Sequence, residues 1–484
     1  MSVLVVDVGT TGLRAAVVRD DASIAGFTYE PLPPSSPFAG LVEIDGVAMR
    51  DAVLRVAKAA LNHAGAVRAV GITAQRASTI VWDSRTGIPV APGLGWQDLR
   101  TVGDCISLRA EKNLVFAPNQ TATKLKWFLS NVEAARSPHA RAGTVDTWVA
   151  AVLSNFEVHA TDSSNAAVTG LADHASLTKH EWSRSVLDAL NIDATLLPRI
   201  VPTMGAVGAA SALPGSPPIF SMVGDQQSSL VGQGGIVTGA AKATFGTGGM
   251  FDMYTGTGTP KHLARTPRGT FPIVVYSEGN TLHWGSEAIM LTAGTNVEWL
   301  VNDMGLIPDA KSSDSIAASV ESSDGVVYVP ALIGLGTPQW DYGARGTLLG
   351  LTRGSAKAHV VRAVLEGIAH RGADLLEASE ADSGLRVDRL RVDGGMSRNA
   401  VFVQALADSS GRPVDVCRET EATTLGAAFL AGVAAGVWSS LTEATSLVFP
   451  LHTVEPRTSS SRAQWHEAVR RARGWIPELS ALDF

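Results

Sequence analysis

The chain has 484 residues, 45% of them apolar, and a formal net charge of −7, so it can bury more than one core and we expect two domains. The net negative charge gives no general attraction to phosphate backbones or anionic lipid, so nucleic acid and membrane surfaces are not expected partners. We expect a small-molecule ligand, and a homodimer is possible. Only two cysteines occur, Cys105 and Cys417, without metal-ligand spacing, which argues against a disulfide framework or structural zinc and favours a cytoplasmic location.

The N-terminal segment predicts a β-hairpin. Residues 3 to 8, VLVVDV, form a β-branched run that ends at a Gly/Thr turn, residues 9 to 12, and LRAAVVRD continues as a second strand. Asp7 interrupts the apolar run and no basic region precedes it, so we do not expect a signal peptide. The sequence also lacks a run of about 18 uncharged apolar residues, so no transmembrane helix is expected.

The turn of this hairpin is a candidate phosphate cradle. Its glycines let the main chain approach a ligand without a Cβ in the way, and its backbone N–H groups are closely spaced. The hydroxyls of Thr10 and Thr11 and the guanidinium of Arg14 would add donors if they face the same side. An ordinary hairpin turn is the competing interpretation. A P-loop is excluded because the sequence has no GxxxxGK[ST] motif.

Residues 71 to 90, GITAQRASTIVWDSRTGIPV, predict a strand, a polar turn and a second strand. The turn carries Gln75 and Arg76, and Arg76 lies where a substrate hydroxyl or phosphate could be held. A surface arginine in a turn is the alternative, and these residues by themselves favour it.

A further candidate residue follows a loop and a strand. SALPGSPPIF, residues 211 to 220, is expected to be a surface loop leading into the strand IFSMV, and Asp225 comes next with Gln226 and Gln227. Asp7 and Asp225 thus both end apolar strands ahead of polar turns, which suits magnesium because it takes one or two carboxylates together with substrate phosphates. Asp225 could also act as a general base toward an attacking hydroxyl. Turn capping is the alternative for each aspartate.

The second half of the chain contains a second sequence pattern typical of a hairpin. KATFGTGGMFDMYTG, residues 242 to 256, again sets a glycine-rich turn between two strands. One hairpin in each half predicts two related domains that face each other, residues 1–231 and 232–484.

The remainder of the second half predicts α/β structure. Apolar residues between 360 and 369 at i, i+3, i+4 spacing predict an amphipathic helix behind a candidate cap at Ser355. A strand at 389 to 393, a Gly394-Gly395 turn and a helix follow, the pattern in which ligands lie at the carboxyl ends of strands. The last thirty residues predict one charged surface helix.

Ten segments carry a resemblance to a known family, and they occur in the order expected for it: VDVGTTGLR, TAQRASTIVWD, GLGWQDLRT, TKLKWFL, TVDTWV, TDSSNAAVTGL, VGDQQSSLVGQG, KATFGTGGMF, GLGTPQWDYGARGTLLGLTRG and RVDGGMSRNAVFVQALAD with its later TTLGAAFLAG. Over nearly the whole chain they resemble the FGGY family of carbohydrate kinases, and within it most closely the glycerol kinase group. The resemblance implies an α/β chain with the two-domain actin/hexokinase/chaperone-type ATPase fold, built from duplicated ribonuclease H-like domains, with ATP and a polyol or sugar meeting in the interdomain cleft.

The resemblance also implies residue roles. Asp225 would be the catalytic base that takes a proton from the acceptor hydroxyl, and Asp7 with Asp225 would hold Mg²⁺. The nucleotide would be held by Thr10, Thr11, Gly12, Arg14, Thr247, Gly248, Gly294, Glu298, Gly395 and Asn399. The acceptor would be bound by Arg76, Ala77, Trp96, Asn119, Asp225, Gln226 and Met250. The expected reaction is Mg²⁺-dependent transfer of the γ-phosphate of ATP to a hydroxyl of a small polyol or sugar.

Three acceptor-side positions depart from the glycerol kinase pattern. Ala77 stands where a glutamate is expected, Asn119 where a tyrosine is expected, and Met250 where a phenylalanine is expected. Because a lost hydrogen-bond partner for a substrate hydroxyl changes discrimination strongly, a larger polyol or a ketose (erythritol, xylitol, xylulose or ribulose) is an alternative acceptor. A non-kinase ATPase of the actin or chaperone type is the alternative from a different class, since fold alone does not choose between them.

Overall fold

A computed structural model of the protein describes residues 1–262, 264–457 and 462–482. The strands in the first half of the chain are β1 (Ser2–Val8), β2 (Gly12–Arg19), β3 (Ile24–Pro31), β4 (Glu43–Ile44), β5 (Ala69–Ala74), β6 (Thr79–Asp83), β7 (Ile88–Pro89), β8 (Gly93–Leu94), β9 (Ala140–Thr144), β10 (Ala160–Asp162), β11 (Arg199–Val201), β12 (Met204–Ala209) and β13 (Pro218–Gly224). The helices of this half are α1 (Gly46–Ala64), α2 (Val102–Lys112), α3 (Thr121–Asn131), α4 (Val145–Leu153), α5 (Ser163–Ala167), α6 (His174–Leu177), α7 (Arg184–Leu190) and α8 (Asp225–Gly232).

The second half continues with nine strands in its described residues: β14 (Ala241–Phe245), β15 (Gly249–Gly256), β16 (Phe271–Glu278), β17 (Thr281–Met290), β18 (Val327–Val329), β19 (Thr347–Leu349), β20 (Leu390–Asp393), β21 (Val414–Cys417) and β22 (Pro450–Val454). Its helices are α9 (Thr295–Asn302), α10 (Ser312–Ala318), α11 (Lys357–Ser383), α12 (Ala400–Ser410), α13 (Ala422–Ala434), α14 (Leu441–Thr445), α15 (Arg462–Ala472) and α16 (Pro477–Ser480). Short 3₁₀ turns occupy Glu133–Arg136, Ala194–Leu196 and Gly395–Arg398.

Within the described residues, one sheet of thirteen strands runs through both halves in the order β22-β21-β20-β14-β15-β17-β16-β12-β13-β5-β1-β2-β3. Both hairpins predicted from the sequence are confirmed, because β1 pairs antiparallel with β2 and β14 pairs antiparallel with β15. The halves join where β12 meets β16 through the pair Met204 with Glu278. Strands β1, β5 and β13 are parallel neighbours, so their carboxyl ends lie at one edge.

Strand β1 is buried on both faces, which explains its nearly continuous apolar sequence. Leu4 and Val6 share a core cluster with Val53 of α1, whereas Val3 and Val5 belong to a different cluster that contains α13. Alternate side chains of a strand point to opposite faces, so α1 and α13 cover the two sides of the first-half sheet.

Helices α8 and α13 pack against each other at close range. A Cβ added to Gly232 would lie 1.9 Å from Ala422 O, and one added to Gly426 would lie 1.8 Å from Ser228 O. Only glycine permits this approach of the two backbones. Because α13 comes late in the chain yet packs on β1 and β5, it links the two halves. The predicted boundary after residue 231 falls within α8, and that division of the chain stays a prediction.

Two expectations about single elements were wrong. The helix predicted around 360–369 runs from Lys357 to Ser383 and its cap position is Ala356, not Ser355; the Ser355 hydroxyl instead accepts a hydrogen bond from Thr352 N at 2.9 Å. The C-terminal segment forms two helices, and α15 packs Trp465 into a core cluster. Its apolar residues fall on one face, so a helix rich in charge still has a buried side. No helix in the described part of the chain is both long enough and apolar enough to cross a membrane.

Candidate active site

The turn between β1 and β2 is closed by a hydrogen bond from Gly9 N to Gly12 O at 3.0 Å. Thr11 is exposed in this turn. Thr10 Oγ1 accepts a hydrogen bond from Trp96 Nε1 at 3.1 Å. The structure therefore brings a residue predicted to hold the nucleotide against one predicted to hold the acceptor.

Arg14 on β2 lies between two carboxylates. Its Nε lies 3.3 Å from Asp7 Oδ2, and its Nη1 lies 2.8 Å from Glu421 Oε2 at the start of α13. The negative charge of Asp7, reinforced by that of Glu421, raises the pKa of Arg14. Glu421 is absent from the residues predicted above, although an acid directly before the apolar helix sequence ATTLGAAFLAG is a signal that could have identified it.

The carboxylate of Asp7 is buried without a hydrogen-bond donor at one of its oxygens. Its residue is 2% exposed and Oδ2 accepts no hydrogen bond. Burial raises the pKa of Asp7 to about 7; the positive charge of Arg14 opposes the shift, and the negative charges of Asp225 and Glu421 add to it. Because Oδ2 accepts no hydrogen bond from the protein, its lone pairs are available for a ligand.

Asp7 and Asp225 lie near the same edge of the sheet. Asp7 pairs with Thr73 on β5, and Thr73 pairs with Val223 on β13. Neighbouring strands are about 4.8 Å apart, so Asp7 and Val223 are separated by two strand spacings, and Asp225 follows two residues later. The influence of Asp225 on the pKa of Asp7 reflects this proximity. The two predicted carboxylates are thus brought together.

The expected polar turn after Asp225 was wrong, because Asp225 is the first residue of α8 and Gly224 is its N-cap. The dipole of a helix favours an acid in its first turn. The segment DQQSSLVG lacks the apolar stripe of an ordinary surface helix because its small polar side chains, such as Ser228, are buried against α13. Burial raises the pKa of Asp225, and the charge of Arg76 opposes that shift.

Arg76 forms ion pairs in the interior, so the alternative of a surface arginine is wrong. Its side chain is 13% exposed, its Nη2 lies 2.7 Å from Glu287 Oε2 on β17, and its Nε lies 3.7 Å from Asp225 Oδ1. Burial raises the pKa of Glu287 to about 7, against the opposing charge of Arg76. Arg76 therefore connects the candidate base with the second half of the chain.

A buried lysine binds Gln226, the residue after Asp225, and its charge, like that of Arg76, opposes the rise in the pKa of Asp225. Lys242 on β14 has no exposed side-chain surface and its Nζ lies 2.9 Å from Asp252 Oδ2. The same nitrogen donates to Gln226 Oε1 at 2.8 Å and to Thr244 Oγ1 at 3.0 Å. Sequence reasoning missed Lys242 and Asp252, yet each is a charge inside an apolar strand, which indicates a buried partner.

The second glycine turn is fastened to the start of α9. Gly246 N donates to Gly248 O at 3.0 Å, and Gly294 N donates to Gly246 O at 2.8 Å. A Cβ at Gly294 would lie 2.6 Å from Gly246 O, so the close approach needs glycine. Thr247 and Glu298 are both exposed beside this junction. Four of the residues predicted to hold the nucleotide, Thr247, Gly248, Gly294 and Glu298, therefore lie together.

The other two predicted nucleotide positions follow β20. A Cβ added to Gly395 would meet nothing within 4 Å, so this turn is open. Asn399 caps α12, because its Oδ1 accepts from Phe402 N at 2.9 Å, while its Nδ2 donates to Ser313 Oγ at 3.0 Å. A ligand contact of the Asn399 side chain would compete with these two bonds.

A second buried lysine joins two predicted acceptor positions. Lys124 Nζ donates to Asn119 O at 2.6 Å and to Ala77 O at 3.4 Å. Ala77 O also accepts from Thr121 Oγ1 at 3.1 Å, and Ala77 has a φ of 63°. Lys124 was not among the predicted residues, and burial lowers its pKa to about 7.

The last two acceptor positions border the same region. Trp96 N donates to Ser78 Oγ at 2.9 Å, in the turn that carries Arg76. Met250 on β15 pairs with Thr244, the residue whose hydroxyl accepts from Lys242. Trp96 is thus linked to the turn that carries Arg76, and Met250 to the strand that carries Lys242.

Comparison with known proteins identifies the family. The description "FGGY family of carbohydrate kinases, N-terminal domain" matches residues 2–232, and "FGGY family of carbohydrate kinases, C-terminal domain" matches residues 241–435. The chain belongs to the FGGY family of carbohydrate kinases. The membership expected from the ten sequence segments is confirmed.

Relatives of this FGGY kinase cover nearly its whole length. It is 38% identical to a glycerol kinase of Trichlorobacter lovleyi, over 98% of this chain and 99% of the relative, and 39% identical to a glycerol kinase of Bordetella parapertussis, over 98% and 97%. Its structure matches the crystal structure of Plasmodium falciparum glycerol kinase with ADP at a TM-score of 0.90 and 26% identity, covering 97% of this chain and 98% of that one. The expected two-domain ATPase fold is confirmed.

Proposed function

We propose that this protein transfers the γ-phosphate of ATP to a hydroxyl of a small polyol of the glycerol class, with Asp225 as the general base. The observation that carries the proposal is the position of Asp225 at the start of α8, in ionic contact with Arg76 and close enough to Asp7 to raise its pKa. The glycerol kinase relatives support the choice of acceptor class.

Magnesium is part of the proposal, and the residues present fit it. Asp7 Oδ2 is buried and accepts no hydrogen bond, and Mg²⁺ prefers sites with one or two carboxylates beside substrate phosphates. Asp7 and Asp225 would hold the ion. When bound, it supplies positive charge that offsets the charge developing on the transferred phosphoryl group.

The chemistry asks the protein chiefly for positioning. As the acceptor oxygen forms its bond to the γ-phosphorus, the bond from that phosphorus to the β,γ-bridging oxygen breaks and ADP departs. The hydroxyl proton passes to Asp225, whose raised pKa favours accepting it. Thr10, Thr11 and Gly12 with Arg14 on one side, and Thr247 with Gly248 on the other, would hold the phosphates through backbone and side-chain donors.

The acceptor would lie between Arg76, Trp96 and Gln226, with Ala77, Asn119 and Met250 setting the size of its site. Arg76 is already oriented by Glu287, and Gln226 by Lys242. These paired groups have little freedom to reorient, which favours a preorganised site.

A turnover assay with several acceptors tests the proposal. The purified protein would be incubated with MgATP and glycerol, erythritol, xylitol, xylulose or ribulose, and ADP release and phosphorylated product would both be measured against a background without acceptor. We expect glycerol to be phosphorylated with the highest kcat/KM. Preference for a larger acceptor would assign the wider site to Ala77 and Met250. ADP release without phosphorylated product would overturn the proposal in favour of a non-kinase ATPase.

A further inference from the structure

The guanidinium of Arg14 presents its three nitrogens to three different groups. Nε lies 3.3 Å from Asp7 Oδ2 and Nη1 lies 2.8 Å from Glu421 Oε2. Nη2 lies beside the first hairpin turn, 3.7 Å from the position that a Cβ on Gly9 would take. Two of the nitrogens are therefore directed to carboxylates, and the third faces the turn proposed to hold phosphate.

We infer that Glu421 is a positioning residue for phosphoryl transfer, acting through Arg14; this inference rests on the proposed function. Arg14 has two carboxylate neighbours, and with Asp7 alone its planar fork would be free to turn fully toward that residue. The bond to Glu421 holds Nη1, so that Nη2 stays at the turn and Asp7 Oδ2 keeps only the longer 3.3 Å contact.

The location of Glu421 suits this role. It occupies the cap position of α13, the helix that packs on β1 and against α8, and 19% of its side chain is exposed. Its backbone N–H donates to Glu419 Oε1 at 3.1 Å, which fixes the segment before the helix. Arg14 is thereby tied to a rigid element that also supports the helix beginning at Asp225.

An effect of Glu421 through its charge alone and a positioning role predict opposite changes in nucleotide affinity when Glu421 is replaced. Glu421 adds a negative charge close to a site for anionic phosphates, so by Coulomb's law its removal would strengthen nucleotide binding. If Glu421 orients Arg14, replacing Glu421 weakens nucleotide binding and slows phosphoryl transfer, even though a repulsive negative charge has been removed. The sign of the effect therefore separates the two roles.

The experiment compares wild-type protein with Glu421→Gln, Glu421→Asp and the neighbouring control Glu419→Gln. Calorimetric titration with Mg²⁺ and a non-hydrolysable ATP analogue, without acceptor, gives the dissociation constant, and steady-state kinetics give kcat and each KM. We expect Glu421→Gln to weaken analogue binding about tenfold, as for loss of one charge-assisted hydrogen bond, and to lower kcat about 10- to 100-fold through misorientation. The KM for the acceptor should change less than twofold.

The other two variants complete the test. Glu421→Asp keeps the charge but withdraws the carboxylate by one methylene, so positioning predicts weaker binding, whereas charge alone predicts the wild-type value. Glu419→Gln removes a nearby charge but keeps a side-chain oxygen that can accept from Glu421 N, so it should bind and turn over as wild type does. Unchanged or tighter analogue binding in both Glu421 variants would overturn the inference. If Glu421→Gln shows no folding transition in a thermal melt, the result for Glu421→Asp decides between the two roles.

A wild-type protein that binds the analogue but phosphorylates no acceptor would contradict the proposed function. The comparison of analogue binding between the variants would still test the role of Glu421.

Discussion

Arg76 Nη2 lies 2.7 Å from Glu287 Oε2, which joins the turn after β5 in the first half of the chain to β17 in the second. The same guanidinium is 3.7 Å from Asp225 Oδ1 through its Nε. Glu287 thus competes with the candidate base for one arginine. Burial raises the pKa of Asp225, and because the pair holds Arg76 toward the second half, the arginine opposes that rise only through its longer contact.

We expect Glu287→Gln to release Arg76 toward Asp225. Glutamine keeps an acceptor atom but leaves the arginine charge uncompensated on that side, so the guanidinium should close on the remaining carboxylate and make it a weaker base. The predicted result is a fall in kcat of about 10- to 100-fold, since general-base catalysis contributes about 10²–10⁴ in all, with the KM for MgATP within about twofold of wild type. Steady-state kinetics measure both. Glu278→Gln, at the exposed end of β16, is the matched control, and an unchanged kcat in Glu287→Gln would contradict this account.

Replacing Asp225 by Asn should separate chemistry from binding. The amide cannot take the acceptor proton, so kcat should fall by about 10²–10⁴. Affinity for ADP, measured by calorimetry without magnesium, should stay near the wild-type value because the predicted nucleotide residues lie on other elements. Turnover equal to that of wild type would remove Asp225 from the role of base.

Replacing Lys124 by Met should impair the acceptor side alone. The substitution keeps the length of a wholly buried side chain but leaves Asn119 O without the donor at 2.6 Å, at a cost to the free energy of unfolding of about 1–3 kcal/mol. We expect the KM for the acceptor to rise and the KM for MgATP to stay the same. Lys126→Met, two residues along α3, is the control, because Lys126 pairs with Asp104 instead. Equal changes in both KM values would show that Lys124 supports the fold and not the acceptor site.

Acid should destabilise the protein through His370. Burial, helped by the charge of Arg462, lowers the pKa of His370 from 6.5 to about 4, and the ring stacks on Trp465 at 5.0 Å. Since the folded state holds the neutral ring, its contribution to stability is present above pH 6.5 and is lost as the pH falls toward 4, where the unfolded chain binds a proton that the folded chain does not. The loss amounts to about 3 kcal/mol, at 1.36 kcal/mol per pKa unit.

Denaturant unfolding at pH 7 and pH 4.5 measures this effect. His370→Gln should lose less stability between the two pH values than wild type does, by about 2 kcal/mol, because glutamine does not titrate. His63→Gln, at an exposed position near the end of α1, should behave like wild type. A pH dependence that is the same in His370→Gln and wild type would rule out His370 as the group responsible.

Local patterns predicted local structure well. Both hairpins follow from β-branched runs broken by glycine turns, and the helix after Gly395 follows from its apolar spacing, because these signals arise within about ten residues. The sequence predicts a turn at Asp225, where the structure has the start of α8, because the stability of this helix depends on a distant partner and not on local signals. The helix DQQSSLVG owes its stability to close packing of Ser228 and Gly232 against α13, and that partner lies nearly two hundred residues away.

The sequence by itself determined the family and the two glycine-turn hairpins, and it singled out Asp7 and Asp225 as candidate carboxylates, because each of these signals lies in a short motif of neighbouring residues. Only the tertiary structure decided which distant charges meet: Arg76 with Glu287, and Arg14 with Glu421, a pair 407 residues apart in the chain. The physical reason is that a buried charge must find its partner in space, and no periodicity along the chain records which distant side chain will lie within reach once the sheets and helices have packed.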